Sequence, residues 1–259
     1  MSKIDNLIID SVLSVTGFDL GTGDILFQMN QLQDATLNCT ANSIDVNGMR
    51  GQRIATMDRT KGCSIECTNG LLVINALANQ VGANVEEASS ENKIQTPFVE
   101  SVSVKNNTAK LSHTPITGTT IVYKMTRSGG KGEKLDLSDS AAVGKYSISG
   151  DVVTIAEAET FDGDPSLIVT YYFDATEGIK IVNDSESYTK SVRLLVEIVC
   201  RDVCDDSIYI SVLEMYRAKI DGNFTLSMGN DAATHPLTAN ALPNLCSADK
   251  TLYNWYIVA

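Results

Sequence analysis

The sequence of 259 residues has few basic residues, few aromatic residues and only two histidines. Its 20 lysines and arginines are outnumbered by 32 aspartates and glutamates, which gives a net charge of −12. A protein that binds nucleic acid through its phosphates needs clustered lysine and arginine, so a nucleic-acid-binding protein of this kind is disfavoured. A surface past which nucleic acid slides without sticking is compatible with this charge, and so is a simple need for solubility.

The sequence also lacks long apolar runs and an export signal. No stretch reaches the roughly 18 apolar residues that indicate a transmembrane helix. Residues 1–5 do not combine a basic stretch with an apolar core and a cleavage site, so we expect no ordinary signal peptide and no membrane partner. In a chain made in the cytoplasm, most of the six cysteines are expected to be reduced and buried.

No catalytic motif is recognisable in the sequence. His113 and His235 both fit loop positions, and no Gly-x-Ser-x-Gly elbow accompanies them. Gly21 and Gly23 are not followed by the third glycine and the helix of a dinucleotide site, and there is no P-loop. We predict that the protein is not an enzyme, has no catalytic residue and uses no cofactor.

Two Cys-x-x-x-Cys pairs are the best candidates for a metal site. Cys63 and Cys67 lie in a predicted strand, where residues four apart share a face but stand roughly 13 Å apart at about 3.3 Å per residue. Cys200 and Cys204 have the same spacing. We therefore predict core thiols and no metal site. A disulfide between Cys204 and Cys246 stays open, because spacing does not determine pairing.

Short alternating segments and frequent turn residues predict a mainly β protein. Residues 192–199, 208–215 and 252–258 are strand-like, and residues 224–228 are expected to form another strand after a turn at 221–223. Residues 1–20 are interpreted as an arm that leads into a tight turn.

A hairpin with a basic tip is predicted over residues 44–65. Asn47-Gly48 is a strong signal for a type I′ turn, because both of its central residues need positive φ. The basic side chains of the hairpin are Arg50, Arg53, Arg59 and Lys61.

One segment has helical rather than strand periodicity. Over residues 69–82 the apolar side chains recur at a spacing that places them on one helical face. These are Leu71, Ile74, Ala78 and Val81, and Gly82 can end the helix. A single helix among strands is expected to pack across a sheet or its open end.

The composition predicts an outer domain interrupted by an insertion. Residues 84–96 are acidic, polar and aperiodic, which is typical of a linker, and residues 98–174 have turn signals about every ten residues, which suits a small immunoglobulin-like sandwich. The predicted division is 1–95 and 178–259 for the outer domain and 96–177 for the insertion. Insertion at a surface loop is the tolerated way to build such a chain.

Both flanks of the insertion resemble virion structural proteins of tailed phages. The resembling segments are residues 16–27 and 32–36, the block from Val46-Asn47-Gly48 through Arg53-Ile54-Ala55 to Cys67–Leu72, residues 224–230, and the aromatic C-terminus. The family indicated is the tail-tube proteins of bacteriophages. The resemblance implies a tail-tube-like β-sandwich or barrel with one packed helix, interrupted by an Ig-like β-sandwich.

The resemblance also implies a function and partners. Tail-tube proteins assemble with copies of themselves as stacked hexameric rings and with other tail proteins, and DNA passes through the channel without specific binding. The protein would be part of the virion tail. The arm of residues 1–20 and the hairpin would contact neighbouring subunits, the latter through Asn47, Gly48, Arg50, Arg53, Arg59 and Lys61.

Three alternatives stay open at this stage. A head-decoration or other capsid-surface protein would also carry β domains and an Ig-like module. A cell-surface or carbohydrate-binding module would need exposed aromatic residues in a groove, whereas aromatic residues make up only 6% of this sequence. An enzyme would need a pocket with perturbed titratable groups, and the sequence indicates none.

Overall fold

Strands form most of the part of the chain that the computed structural model describes, residues 6–204, 206–229, 233–244 and 250–258. In chain order the elements are β1 (Leu7–Asp19), β2 (Ile25–Met29), β3 (Leu32–Asn47), a 3-10 turn (Met49–Gly51), β4 (Arg53–Asn69), α1 (Ile74–Val81), β5 (Val85–Glu87), β6 (Ile94–Ser103), β7 (Thr108–Lys110), β8 (Ile121–Met125), β9 (Lys131–Leu137), β10 (Lys145–Ser149), β11 (Val152–Ile155), β12 (Ser166–Ala175), β13 (Ile179–Ile181), β14 (Ser191–Asp202), β15 (Ile208–Ile220), β16 (His235–Ala241) and β17 (Asn254–Val258).

The chain divides into two compact units, each with its own core. Residues 1–85 and 181–259 form the first, which we call the barrel unit, and residues 86–180 form the second, which we call the inserted unit. β5 and β13, which contain the two boundaries, form a two-stranded sheet of their own.

The barrel unit is one eight-stranded sheet that curls into a nearly closed barrel. Its strand order is β2-β1-β14-β15-β16-β4-β3, and β17 pairs with β15 beside this path. Alternate residues of β14 are buried because successive side chains of a strand point to opposite faces. The inward residues are Val192, Leu194, Val196, Ile198 and Cys200. Within the described residues, the prediction of a mainly β fold with one packed helix is confirmed.

Helix α1 packs against β2, but it is shorter than predicted. It ends as expected at Gly82, whose φ of 73° is left-handed and whose α-carbon faces the backbone of Tyr188. The helix begins only at Ile74, because the residues before it make hydrogen bonds that are not helical. The side-chain amide of Asn69 donates to the carbonyl of Leu71 (2.8 Å), and Leu71 is 58% exposed rather than part of an apolar helical face.

A buried histidine joins α1 to the sheet. His235 at the start of β16 has no solvent exposure, its Nδ1 accepts the backbone N–H of Val73 (3.2 Å), and its Nε2 lies 2.7 Å from the Gln80 side-chain oxygen. The tautomer that satisfies both partners carries its proton on Nε2. Burial lowers the pKa of His235 below its usual 6.5, because the charged ring would lose its hydration.

Replacing His235 with alanine is expected to lower the free energy of unfolding of the barrel unit by about 3 kcal/mol, because it leaves a cavity and two buried polar groups without a partner. In the native chain, stability should hold above pH 6.5 and fall as the pH drops from 6.5 towards the lowered native pKa, because only the unfolded chain takes up the proton there. Denaturant unfolding across this range tests both effects. His113→Ala is the control and should leave the free energy of unfolding of the barrel unit unchanged, because His113 packs on Phe173 in the inserted unit.

Residues 7–19 are not the arm that the sequence predicted. They form β1, which pairs with β14 on one side and with β2 on the other. The pairing with β14 shifts register between Ile9 and Ser11 and again between Val12 and Ser14. Each shift moves the following side chains to the other face, so the segment lacks the period of two that identifies a strand in a sequence.

Two further local predictions are wrong. Residues 224–228 form no strand, because the Asp221 carboxylate accepts hydrogen bonds from the backbone and side-chain N–H groups of Asn223 (2.9 and 3.0 Å) and turns the chain away from the sheet. Residues 84–96 are not an unstructured linker throughout, because they contain β5 and the first residues of β6. The latter pair with β12, Ile94 opposite Ala175.

The inserted unit is a seven-stranded sheet of order β6-β12-β8-β9-β10-β11-β7. Its core includes the fully buried side chains of Leu135, Tyr146, Leu167 and Tyr171. β10 and β11 form a hairpin in which Ser149 is paired to Val152.

A carboxylate network fastens β6 of the inserted unit to β12. Glu100 accepts hydrogen bonds from the Tyr171 hydroxyl (2.6 Å) and from the backbone N–H and hydroxyl of Ser112 (3.0 and 2.7 Å). Burial alone would raise the pKa of Glu100, but these donors outweigh it and hold the pKa below the usual range. The network is therefore a structural device that stays ionised at neutral pH.

Candidate assembly interface

A long hairpin arm extends from the barrel unit. We define the arm as residues 41–61, the part of β3 and β4 whose side chains are exposed on both faces except at Gly48. Ten residues of strand span roughly 33 Å at about 3.3 Å each, so the arm can reach well beyond its own barrel. A two-stranded ribbon is marginal in water without a third strand or a packed face, and the arm has neither among the described residues.

The tip of the arm differs from the predicted two-residue turn. Gly48 has a φ of −89°, and its amide bonds to the carbonyl of Gln52 (2.8 Å). The left-handed positions are Arg50 and Gly51, at φ values of 73° and 72°. Position 48 does not require glycine: an added Cβ would lie 2.5 Å from Cδ1 of Ile54, but this is the end of an exposed side chain that can turn aside.

The two faces of the arm have different chemistry. On one face Ile44 lies opposite Met57, and Val46 lies opposite Ala55. Ile44 and Met57 are 52% and 53% exposed. Cross-strand apolar pairs of this kind stabilise a sheet when they are covered. We call these four residues the apolar face of the arm.

The opposite face of the arm is polar and internally bonded. Asp45 accepts hydrogen bonds from the Thr56 hydroxyl (2.8 Å) and from the Arg53 guanidinium (3.2 Å). Both members of the Arg53–Asp45 ion pair are exposed, so the pair contributes less than about 1 kcal/mol to stability. One face of the arm is therefore apolar and the other is polar.

The outside of the barrel unit carries a second apolar surface. Ile8 of β1 and Ile208 of β15 flank Arg201 of β14, and Ile210 of β15 lies opposite Val258 of β17. The four apolar side chains are between 55% and 68% exposed. We call Ile8, Ile208, Ile210 and Val258 the apolar outer face. In the described chain β17 pairs with β15 alone, so its other edge is available to a further strand.

A third surface of the barrel unit is polar and has little positive charge. The outward residues of β3 at 34–40, of β4 at 64–68 and of β16 are threonine, serine, asparagine and carboxylates, apart from Pro236, because the alternate positions face the core. Glu66 lies between Thr36 and Thr238, and accepts a hydrogen bond from the Asn38 side chain (3.1 Å). No lysine or arginine occurs in β3, in β16 or at residues 62–69. We call this surface the polar outer face.

Comparison with known families identifies the class of protein that carries these surfaces. Residues 7–255 match the YomU/Tube protein family. The chain belongs to this family. The match covers both segments of the barrel unit and the whole inserted unit. It supports the prediction of a phage tube structural protein rather than an enzyme. No curated protein matches the chain.

The structure of this YomU/Tube protein places the six predicted contact residues on one arm. Asn47, Gly48 and Arg50 lie at or beside the tip, and Arg53, Arg59 and Lys61 lie along the returning strand. Their contact with another subunit stays a prediction. Sequence reasoning missed the apolar face, although the alternation of Ile44 with Val46 and of Ala55 with Met57 is a signal that could have found it.

The other candidate residues of this YomU/Tube protein are not brought together. His113 stacks on Phe173 in the inserted unit, with ring centres 3.9 Å apart, whereas His235 is buried in the barrel unit. Among the described residues no three histidine, cysteine or acidic side chains are grouped for a metal ion, and no helix is long and apolar enough to cross a membrane. Cys204 is exposed and is not the core thiol that the sequence predicted. Cys246 lies outside the described residues, so a disulfide between the two stays open.

Proposed function

We propose that this YomU/Tube protein is the subunit of a phage tail tube, which polymerises as stacked hexameric rings around a channel for DNA. The observation that carries the proposal is the arm, a projecting ribbon with an uncovered apolar face. An exposed ribbon of this length is a liability in a free monomer, since its apolar face favours association. In a stack of rings the same ribbon would be covered by a subunit of the neighbouring ring.

In the proposed assembly each arm lies on a subunit of the neighbouring ring. Its apolar face packs against an apolar surface there, so that Ile44 and Met57 are no longer exposed to water. The arginines and the lysine of the arm pair with carboxylates, which an acidic chain supplies in excess. The apolar outer face and the free edge of β17 then meet the next subunit within the same ring, which removes an exposed sheet edge.

The polar outer face lines the channel in this proposal. Carboxylates such as Asp34 and Glu66 repel the phosphates of DNA, and hydroxyl and amide groups offer only uncharged contacts. Lys219 lies beside Asn240 at the border of this face, but its ammonium group bonds to the carbonyl of Thr189. DNA would therefore pass through without being held.

The inserted unit is proposed to be an Ig-like domain on the outside of the tube. Its size, its all-strand composition and its own buried core support this assignment. It has neither the paired cysteines nor the buried tryptophan of antibody domains. An insertion that folds around its own core leaves the barrel unit free to assemble.

Negative-stain electron microscopy of the purified, concentrated protein tests the proposal. Tubes or stacked rings with a central hole are expected, since the surfaces for both contacts are present in one chain. Monomers that persist at every concentration, and that also fail to extend tubes after seeding with tail-tip complexes, would contradict it. That result would favour a head-decoration or cell-surface module, and binding to capsid lattices would then separate these two.

A further inference from the structure

The base of the arm carries a pair of thiols directly opposite each other. Cys39 of β3 and Cys63 of β4 are register partners, and their sulfur atoms are 2.9 Å apart. Register partners in antiparallel strands have Cα atoms about 4.5 to 5.5 Å apart, which lies within the range that a disulfide spans. Both residues are free cysteines in this structure.

We propose that Cys39 and Cys63 are a redox modification site, at which a reversible disulfide closes the base of the arm. The pair is the last of a row that faces the core, after Ala35 with Cys67 and Leu37 with Ile65. Beyond it the strands leave the barrel and become the arm. A bond at this position encloses the whole arm in one covalent loop. This inference does not depend on the proposed assembly.

The two sulfur atoms differ in solvent exposure, and this difference determines which of them reacts first. Cys39 is exposed, whereas Cys63 is 6% exposed. Burial, together with the neighbouring Cys39, raises the pKa of Cys63 to about 12. Cys39 is therefore the sulfur that meets an oxidant, and Cys63 is the one that completes the bond.

The oxidant is a low-molecular-weight disulfide such as oxidised glutathione. The Cys39 thiolate attacks one of its sulfurs, the disulfide bond of glutathione breaks, and one glutathione thiolate leaves. The Cys63 thiolate then attacks the sulfur of Cys39, and the second glutathione leaves as the protein disulfide forms. The two cysteines lose two protons and two electrons, which reduce one glutathione disulfide to two thiols. The second step should accelerate as the pH rises, because it needs the Cys63 thiolate.

The sequence makes this bond easy to recognise. Cys39 is the only cysteine before the tip of the arm, since the others are at 63, 67, 200, 204 and 246. Trypsin cuts after Lys3 and Arg50 to give a peptide of residues 4–50, and after Lys61 and Lys93 to give one of residues 62–93. A covalent link between these two peptides must therefore run from Cys39 to Cys63 or Cys67.

The experiment treats the native full-length chain with oxidised glutathione, blocks free thiols, unfolds the chain, digests it and measures peptide masses without reduction. We expect peptide 4–50 to be lost from the free pool and found joined to peptide 62–93. Cys67→Ser should retain the link. Cys63→Ser should abolish it and leave Cys39 as a mixed disulfide with glutathione, and Cys39→Ser should leave Cys63 unmodified. These two variants separate the roles of the sulfurs.

Two results would overturn the proposal. One is a native chain in which Cys39 stays blocked by the alkylating agent or ends as the glutathione adduct, because Cys63 then does not complete the bond. The other is a link from peptide 4–50 that survives in Cys63→Ser, because the partner is then another cysteine. Neither outcome bears on tube formation, which is measured separately by microscopy.

Discussion

Replacing Ile44 and Met57 together with aspartate is expected to abolish tube formation and to leave the chain folded. The two residues form one cross-strand pair on the apolar face of the arm. In an assembled tube the new carboxylates would be removed from water opposite an apolar surface, and each uncompensated charge would cost several kcal/mol. In the free chain both positions are more than half exposed, so stability should change by no more than about 0.5 kcal/mol. Electron microscopy and thermal unfolding measure the two effects.

The inserted unit supplies a matched control for this variant. Val99 and Ile121 both lie opposite Thr170 of β12, so they share one face, and they are 63% and 41% exposed. Val99→Asp with Ile121→Asp adds the same charge to a similar apolar pair outside the proposed contacts. Tubes should form from this control. If neither double variant forms tubes, the defect is a general effect of charge, and if both do, the apolar face of the arm is not an interface.

Part of the barrel could be predicted because some of its inner strands, such as β14, keep a strict period of two. β14 places Val192, Leu194 and Val196 in the core without interruption, and the sequence identifies it at once. β1 was missed because its two register shifts break that period. Its apolar residues Leu7, Ile8 and Ile9 then have no simple alternation, although the strand lies inside the sheet between β2 and β14.

The base of the arm shows why register could not be derived from the turn signal. A two-residue turn at Asn47-Gly48 would place Cys39 opposite Thr56. The observed partner is Cys63, because the tip is longer and the ladder shifts twice within the arm, after Asn42 and after Val46. Local turn chemistry identifies a hairpin, but the count of residues between its strands depends on irregularities that leave no clear sequence signal.

The contacts of His235 were beyond sequence reasoning for a different reason. Its partners Val73 and Gln80 are 162 and 155 residues away. A histidine followed by proline in a polar segment is typical of a loop, and only the curling of the whole sheet brings it under the helix. Contacts that depend on closure of the whole sheet cannot be inferred from a local pattern.

Reversing the charge of the polar outer face is expected to convert a passive channel into one that holds DNA. Asp34→Lys with Glu66→Lys places two ammonium groups per subunit on a surface whose strands lack them, and a hexameric ring multiplies them sixfold. Each phosphate that is neutralised releases counterions, so affinity for DNA rises steeply and depends on salt. Tubes of the variant should retain linear DNA on a filter at low salt, and virions that carry it should eject DNA at least about tenfold more slowly.

The control reverses two exposed acids of the inserted unit, Glu157→Lys with Asp164→Lys, which changes the net charge equally. These residues lie outside the proposed channel, so ejection should keep the native rate. Raised salt should restore ejection by the channel variant, because screening weakens a phosphate contact but not a folding defect. If Asp34→Lys with Glu66→Lys ejects DNA at the native rate in tubes of normal length, the polar outer face does not line the channel, and the lumen must be sought on another surface of the barrel unit.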